Sequence, residues 1–447
     1  MKLAWILAIL PVCFAADQAD SVVTGPLPLS FERAVAIAIS PEGNTNIQVA
    51  GEAVKQAESR SDQSRAALLP DVEASFSDQS RTQNLAALGL SQAIVIPIPG
   101  FHIPMFVGPF TTMDARVSGS QTLFDFSSIR RFQASKVGVS VARSDLESTA
   151  EQVASQTARA YLAAVKADTD VETAQANVAL SQALVTQAQH EKTAGTGTGI
   201  EITRAEVQLA NDRQRLLEAQ NVRRSTHLRL LRAMGLRLDT EVQLTDKLRY
   251  VPVDALTLEQ ARAQALKTRP DYQAQQERET NARLSASATR LERLPSVAAF
   301  ADYGAIGTGF DAALPTRAYG ISLKVPIFDG GRKDARRAES ASQLRAAEAQ
   351  THDLKEQIEL DVRLALDSLQ SAEDEVKVAQ EGLQQAEQEL AQARRRTSAG
   401  VAISLEVTDA QTRMERARDN QTAALYQYNV ARIDLAQAMG NVRSAVQ

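Results

Sequence analysis

Apolar side chains recur at alternating spacings of four and three residues along two stretches, each far longer than an ordinary globular helix. The first runs from Leu146 through Ala150, Val153, Thr157 and Ala160 to Val185 and Ala188. The second runs from Ile358 through Val362, Ala365, Leu369 and Ala372 to Leu390 and Ala393. A sustained 3.5-residue period means helices packed in coiled-coil fashion. Many seam positions are alanine or serine, which lets helix axes approach closely and suits a sheath of several helices better than a two-stranded zipper. Aromatic residues make up only 4% of the chain, in keeping with long helices rather than a compact core of large side chains. The pattern predicts helices of about 65 residues over roughly 128–192 and 332–397, which is about 100 Å each at the rise of an α-helix.

The chain is also written twice. Ala233-Met234-Gly235 returns as Ala438-Met439-Gly440, and Thr193-Ala194-Gly195 as Ser398-Ala399-Gly400. Ile200-Glu201 matches Leu405-Glu406, and Leu123-Phe124-Asp125 matches Ile327-Phe328-Asp329. Leu69-Pro70-x-Val72 matches Leu294-Pro295-x-Val297, and Phe31-Glu32-Arg33-Ala34 matches Leu258-Glu259-Gln260-Ala261. The same order of anchors in both halves predicts a duplicated architecture. The first repeat covers 16–235, with strands at about 71–83 and 114–124 and a helical hairpin over about 128–235. A linker spans 236–256. The second repeat covers 257–447, with strands at about 295–304 and 318–328 and a hairpin over about 332–440. Single helices are expected to enter the halves over 30–68 and 257–294, and two shorter helices stacked end to end match one long one. The hairpins turn at Gly195–Gly199 and at Ala399-Gly400.

Lys2, the apolar run Leu3–Leu10 and Cys13-Phe14-Ala15 read as a secretory signal over 1–15. The competing reading acylates Cys13 after Leu10-Pro11-Val12, although Val12 is bulky for that role. Cleavage after Ala15 removes the only cysteine, so the mature chain carries no disulfide. The most apolar later stretch, Leu85–Phe110, is broken by Pro97, Pro99, Pro104 and Pro109, which argues against a helical membrane span. A formal net charge of −5 carries no signature of nucleic-acid binding.

An exported chain can still enter a membrane as strands. Tyr319, Ile321, Leu323, Val325 and Ile327 alternate with Gly320, Ser322, Lys324 and Pro326. Ala115, Val117, Gly119, Gln121 and Leu123 alternate with Arg116, Ser118, Ser120 and Thr122. Stretches near ten residues with one apolar and one polar face suit tilted barrel strands, with Arg116 and Lys324 on the wet side. Two hairpins in a soluble sheet would show the same alternation. Four strands cannot close a barrel, and open edges in lipid leave backbone groups unpaired. Three copies supply twelve strands, so the expected fold class is mainly α with a membrane β-barrel portion. It combines a long antiparallel coiled-coil tunnel with four strands per protomer in a homotrimer.

Val325-Pro326-Ile327-Phe328-Asp329-Gly330-Gly331-Arg332 resembles the strand-to-helix corner of the TolC-like outer-membrane efflux proteins. Gly400-x5-Glu406-Val407-x-Asp409-Ala410 resembles the periplasmic tip of their second hairpin. The resemblance spans Asp17 to Gln447. It implies an outer-membrane barrel in contact with lipid and a periplasmic tunnel, belted midway by Asp239–Asp254 and the chain ends. It implies a periplasmic adaptor and an inner-membrane transporter, either an RND-type pump or an ABC-type secretion ATPase. The tips at Ala194, Gly195, Ala399 and Gly400 are then where an adaptor docks. The chain departs from some relatives at Ala402, where they carry a basic latch.

By spacing alone, Glu406 and Asp409 share one helix face and read as an ordinary acidic helix start. The resemblance places them at the narrow periplasmic gate, where three copies give six carboxylates. Glu201 is the counterpart in the first half, with Arg204 on the next turn. Gly195, Gly197 and Gly199 lack the preceding strand and following Lys-Ser/Thr of a phosphate loop and read as a turn. His102, His190, His227 and His352 show no metal-ligand spacing. No nucleophile motif stands out, so the reading is a passive conduit without cofactor rather than an enzyme. The alternative is a periplasmic coiled-coil structural or adaptor protein without a membrane barrel.

Overall fold

A computed structural model describes residues 27–88, 106–254, 256–399, 401 and 404–446. The signal-peptide segment with Cys13, together with Gly400 and Ala402, lies outside the described residues. The first half begins with β1 (Leu27–Leu29), α1 (Phe31–Ile39), α2 (Thr45–Ala66), β2 (Asp71–Asn84) and β3 (Phe106–Phe124). It continues through α3 (Phe126–Thr193) and α4 (Gly199–Met234) to β4 (Val242–Leu244). The second half holds α5 (Leu258–Thr268), α6 (Pro270–Leu291), β5 (Ser296–Gly307), β6 (Leu314–Lys324), α7 (Arg332–Ser398), α8 (Ser404–Met439) and α9 (Val442–Val446).

The two long helices, α3 with 68 residues and α7 with 67, bury the faces the heptads mark. None of the seam positions named above is exposed in either helix. Asp125 starts α3 by accepting a hydrogen bond from the Ser127 N–H at 2.9 Å, which satisfies a helix-end donor that has no intrahelical partner.

The entering segments differ from the single helices expected from sequence. Each divides at a proline, because the residue before proline is driven out of the helical region. Ser40, before Pro41, and Arg269, before Pro270, both have extended backbones. The breaks are docking points. Gly235, with φ +74°, ends α4 against Gly43, where a Cβ would lie 2.5 Å from the Gly43 carbonyl oxygen. Gly440 ends α8 against Arg269 in the same way. Asn44 donates from Nδ2 to the Ala233 carbonyl at 2.9 Å. Thus α2 stacks on the end of α4, and α6 on the end of α8, to give four helical columns per chain.

Near its midpoint the bundle is cross-tied. β1 pairs in parallel with β4. The following segment crosses α3 and α8: the Tyr161 hydroxyl lies 2.9 Å from the Leu29 carbonyl oxygen and 2.8 Å from Asp246 Oδ2, and the Tyr428 hydroxyl donates to the Val251 carbonyl at 2.7 Å.

The remaining strands form one antiparallel sheet in the order β2-β3-β5-β6. β3 is 19 residues long, reaching well beyond the expected start at 114, because its first residues pair with the far end of β2, from Gln79↔Thr112 to Asn84↔Phe106. β6 stops at Lys324, short of the expected 328. Its outer edge has no strand partner among the described residues, and Pro326 has no N–H to donate. Among the described residues no helix is long and apolar enough to cross a membrane.

Candidate functional site: hairpin tips and the polar sheet face

The first tip is a tight turn built on Gly195, whose φ of +75° is a left-handed conformation open to glycine. The Ala194 N–H bonds back to His190, while the Thr196 and Gly197 N–H groups share the Glu191 carbonyl at 3.0 Å. α4 then opens with a capping box, in which the Thr198 N–H donates to Glu201 Oε2 at 2.8 Å. One oxygen of Glu201 is thereby committed to the helix start. At the second tip, Ala399 caps α7. Glu406 turns back toward its own hairpin, 3.6 Å from Arg396 Nη2, while Asp409 is exposed. A cleft of about 680 Å³ between the two hairpins is lined by Glu201, Arg204, Arg394, Leu405 and Val407 among others, but not by Glu406 or Asp409. Within one chain the three acidic residues do not converge.

Sequence reading missed a polar knot further from the tips. Asp212 on α4 is 1% exposed and Glu415 on α8 is 4% exposed, so both carboxylates are buried where the hairpins meet. Ser181 donates to Asp212, Gln208 donates to Asp212 at 3.0 Å and Gln411 donates to Glu415 at 3.2 Å. Arg215 reaches Glu415 at 3.4 Å and Asp212 at 3.7 Å. Burial first, and the Asp212 charge second, raise the Glu415 carboxyl above its ordinary range. The available signal was Ser181, a hydroxyl on the mostly apolar seam of α3. On the same hairpin, burial would raise Asp168, but His227 at 2.9 Å and Arg223 at 2.7 Å hold it below its usual value.

The sheet register sorts side chains onto two faces. Val72, Gly119, Ala301 and Tyr319 share one row, and Ala74, Val117 and Tyr303 belong to the next row of the same face. This apolar face is open: Tyr319 is 80% exposed, Ile321 71% and Leu323 64%. The other face carries Glu73, Ser118 and Asp302 in one row and Ser75, Arg116 and Gly304 in the next. Arg116 is pinned by a bidentate pair to Asp114, at 3.0 Å and 2.6 Å, with Asp302 at 3.6 Å. Gly304 leaves room for it, since a Cβ there would come within 2.6 Å of the Arg116 Cβ. Lys324 stands on the same polar face at the helix-proximal end of β6, beside Ser296.

This pairing of a two-faced sheet with a duplicated helical shaft has a sequence-level counterpart. The model of the family described as Outer membrane efflux protein matches residues 39–236 and again 261–441, one block for each half. The chain belongs to the outer membrane efflux protein family. Pyoverdine export outer membrane protein OpmQ of Pseudomonas putida is 23% identical over 417 residues, covering 90% of this chain and 84% of that protein. Alkaline protease secretion protein AprF of Pseudomonas aeruginosa is 22% identical, covering 70% of this chain and 67% of that protein. The CmeC outer membrane channel of Campylobacter jejuni superposes with a TM-score of 0.78 at 17% identity, covering 92% of this chain and 86% of that one. The outer membrane protein VceC of Vibrio cholerae gives 0.76 at 18% identity, covering 92% and 96%. At such identities the structures establish the fold, and it is the one expected: long antiparallel helices carrying a small sheet. As a family member, this is an outer-membrane efflux protein that extends into the periplasm.

Proposed function

We propose that three copies of this chain close a twelve-stranded barrel in the outer membrane and a helical tunnel beneath it, a passive duct for export. The observation that carries this reading is the sheet itself. It presents an open apolar face, a polar face with a charge network, and two edges, β2 and β6, that have no strand partner among the described residues. In lipid such edges are stable only when another strand pairs with them. Four strands are too few to enclose water, whereas twelve leave room for a lumen. A periplasmic rod or adaptor would have no use for the open face.

The duct has no engine of its own, so energy comes from an inner-membrane pump or secretion ATPase, reached through a periplasmic adaptor. The tips at Ala194, Gly195, Ala399 and Gly400 are where that adaptor docks, since small residues let another backbone come close. Asp409, and Glu406 once released from Arg396, form the carboxylate ring at the periplasmic mouth, with Glu201 behind them. OpmQ and AprF are named for export of different cargo, pyoverdine and alkaline protease; for this chain we assign cargo choice to the pump.

The test is native mass measurement after detergent extraction of outer membranes, followed by conductance in a planar bilayer. A trimer that conducts is the expected result. A monomer released from the cell without detergent would overturn the reading.

A further inference from the structure

The corner where the sheet meets the helices carries more positive charge than the chain itself uses. Its apolar part is a collar. Leu69 and Leu294 before β2 and β5, Phe126 and Ile129 at the start of α3, and Val325 and Ile327 before α7 are all exposed, Ile327 to 94%. They lie where the open apolar face of the sheet ends. Val325 and Ile327 keep the alternation that puts Ile321 and Leu323 on that face.

Just beyond the collar the helices turn cationic. Three arginines tie the columns together. Glu292 lies between Arg131 of α3 and Arg336 of α7, and Arg293, just past α6, reaches Asp334 of α7. Five further cations have no such task. Arg130, Arg290, Arg332, Lys333 and Arg337 form no ion pair among the described residues, and all but Lys333 are exposed. Local structure does not account for them. Arg332 and Lys333 are the first two residues of α7, the end of a helix at which the macrodipole disfavours positive charge. α3 has no acidic residue in its first turn to balance Arg130. The formal net charge of the whole chain is −5, so the surplus is a local feature and not a general excess of lysine and arginine.

We propose, on the reading that the sheet lies in lipid, that this belt of spare cations binds the phosphate headgroups of anionic phospholipids in the periplasmic leaflet. Apolar collar followed by cations is the order of acyl chains and headgroups met on leaving a bilayer toward the shaft. Arg130 stands one turn beyond Phe126 on the same face of α3, so anchor and charge project together. Arginine and lysine lay their stems along apolar surface and hold the charged end at the interface. Near an anionic lipid surface each such residue strengthens binding by roughly fivefold. A soluble acidic protein would meet the cations and leave the collar in water.

The test uses full-length protein extracted from outer membranes and placed in nanodiscs of phosphatidylglycerol and phosphatidylcholine. Native mass measurement counts the lipids that stay bound. The parent is expected to retain phosphatidylglycerol in preference to phosphatidylcholine. Arg130→Gln, Arg290→Gln, Arg332→Gln and Arg337→Gln together should reduce that preference at least about tenfold. Arg224→Gln with Arg416→Gln, which removes exposed cations of α4 and α8 away from the corner, should leave it unchanged. Should the fourfold variant fail to assemble, Arg130→Gln with Arg337→Gln, and Arg290→Gln with Arg332→Gln, are each expected to show part of the loss. A parent without preference, or a preference that survives the substitutions, overturns the proposal and leaves the duct intact. Loss of the preference in millimolar inorganic phosphate would make the belt a site for the free anion and overturns the lipid assignment. A protein released from the cell without detergent overturns the membrane sheet and the belt together.

Discussion

Glu415 carries its carboxyl into the boundary between the two hairpins, offset by a hydrogen bond from Gln411 and by the exposed Arg215. Because burial and Asp212 raise its pKa, the folded chain holds that proton more tightly than the unfolded chain does. Stability contributed at this site is therefore greatest below the unfolded pKa and falls as pH rises through the folded one. Glu415→Gln is expected to melt a few degrees higher than the parent at pH 7–8 and equally at about pH 4, near the reference value for glutamate. Thermal melting across that range checks it; a variant less stable at neutral pH would show that the contact with Arg215 dominates. At the second tip, Asp409 is exposed and Glu406 only weakly tied by Arg396. In the proposed trimer six such carboxylates would share a confined lumen, where they are screened less than on an open surface. A trivalent cation should then block the channel, and replacing both residues with alanine should abolish block and reduce cation preference. Single-channel recording decides this. Block that survives the double substitution moves the ring elsewhere, first to Glu201.

At the scale of elements, α7 depends on its seam more than on helix propensity. Its apolar residues form a chain of small clusters with α5 and α8 rather than one core. Leu369 touches two of them and so joins the upper part of the hairpin to the lower. Leu369→Asp places a carboxylate against two apolar clusters, at a cost on the order of several kcal/mol. The expected outcome is loss of the assembled species in native mass spectra; unchanged melting and mass would refute the coiled-coil assignment. The seam was legible because its period is a property of the chain alone. The proline breaks were not recognised, although Pro41 and Pro270 stand in the sequence. A periodic helical pattern on either side concealed that the chain needed a bend there, to seat Gly235 and Gly440.

For the whole molecule, the proposed barrel requires that the two faces of the sheet separate lipid from water. Lys324 and Leu323 are adjacent in sequence and opposite in direction. With a cysteine at either position, a polar thiol reagent should label Lys324→Cys rapidly and Leu323→Cys slowly in the membrane-embedded protein. Equal fast labelling would mean both faces are wet, as in a soluble sheet.

Alternation and heptad spacing are local, repeating properties, so sequence by itself determined the helical shaft, the duplicated halves and which residues of each strand share a face. It also marked Glu406 and Asp409 as sharing one face of a helix. Pairing between strands and contact between hairpins depend on residues far apart in the chain, which no local period encodes. Only the tertiary structure set Arg116 between Asp114 and Asp302, because a register is needed to bring β3 and β5 side by side. Only the tertiary structure buried Asp212 near Glu415, because α4 and α8 belong to separate hairpins that no local period brings together. The same structure gave Glu201 a helix-capping role and Glu406 a partner in Arg396, since the two carboxylates sit on different hairpins whose turns settle their hydrogen bonds locally.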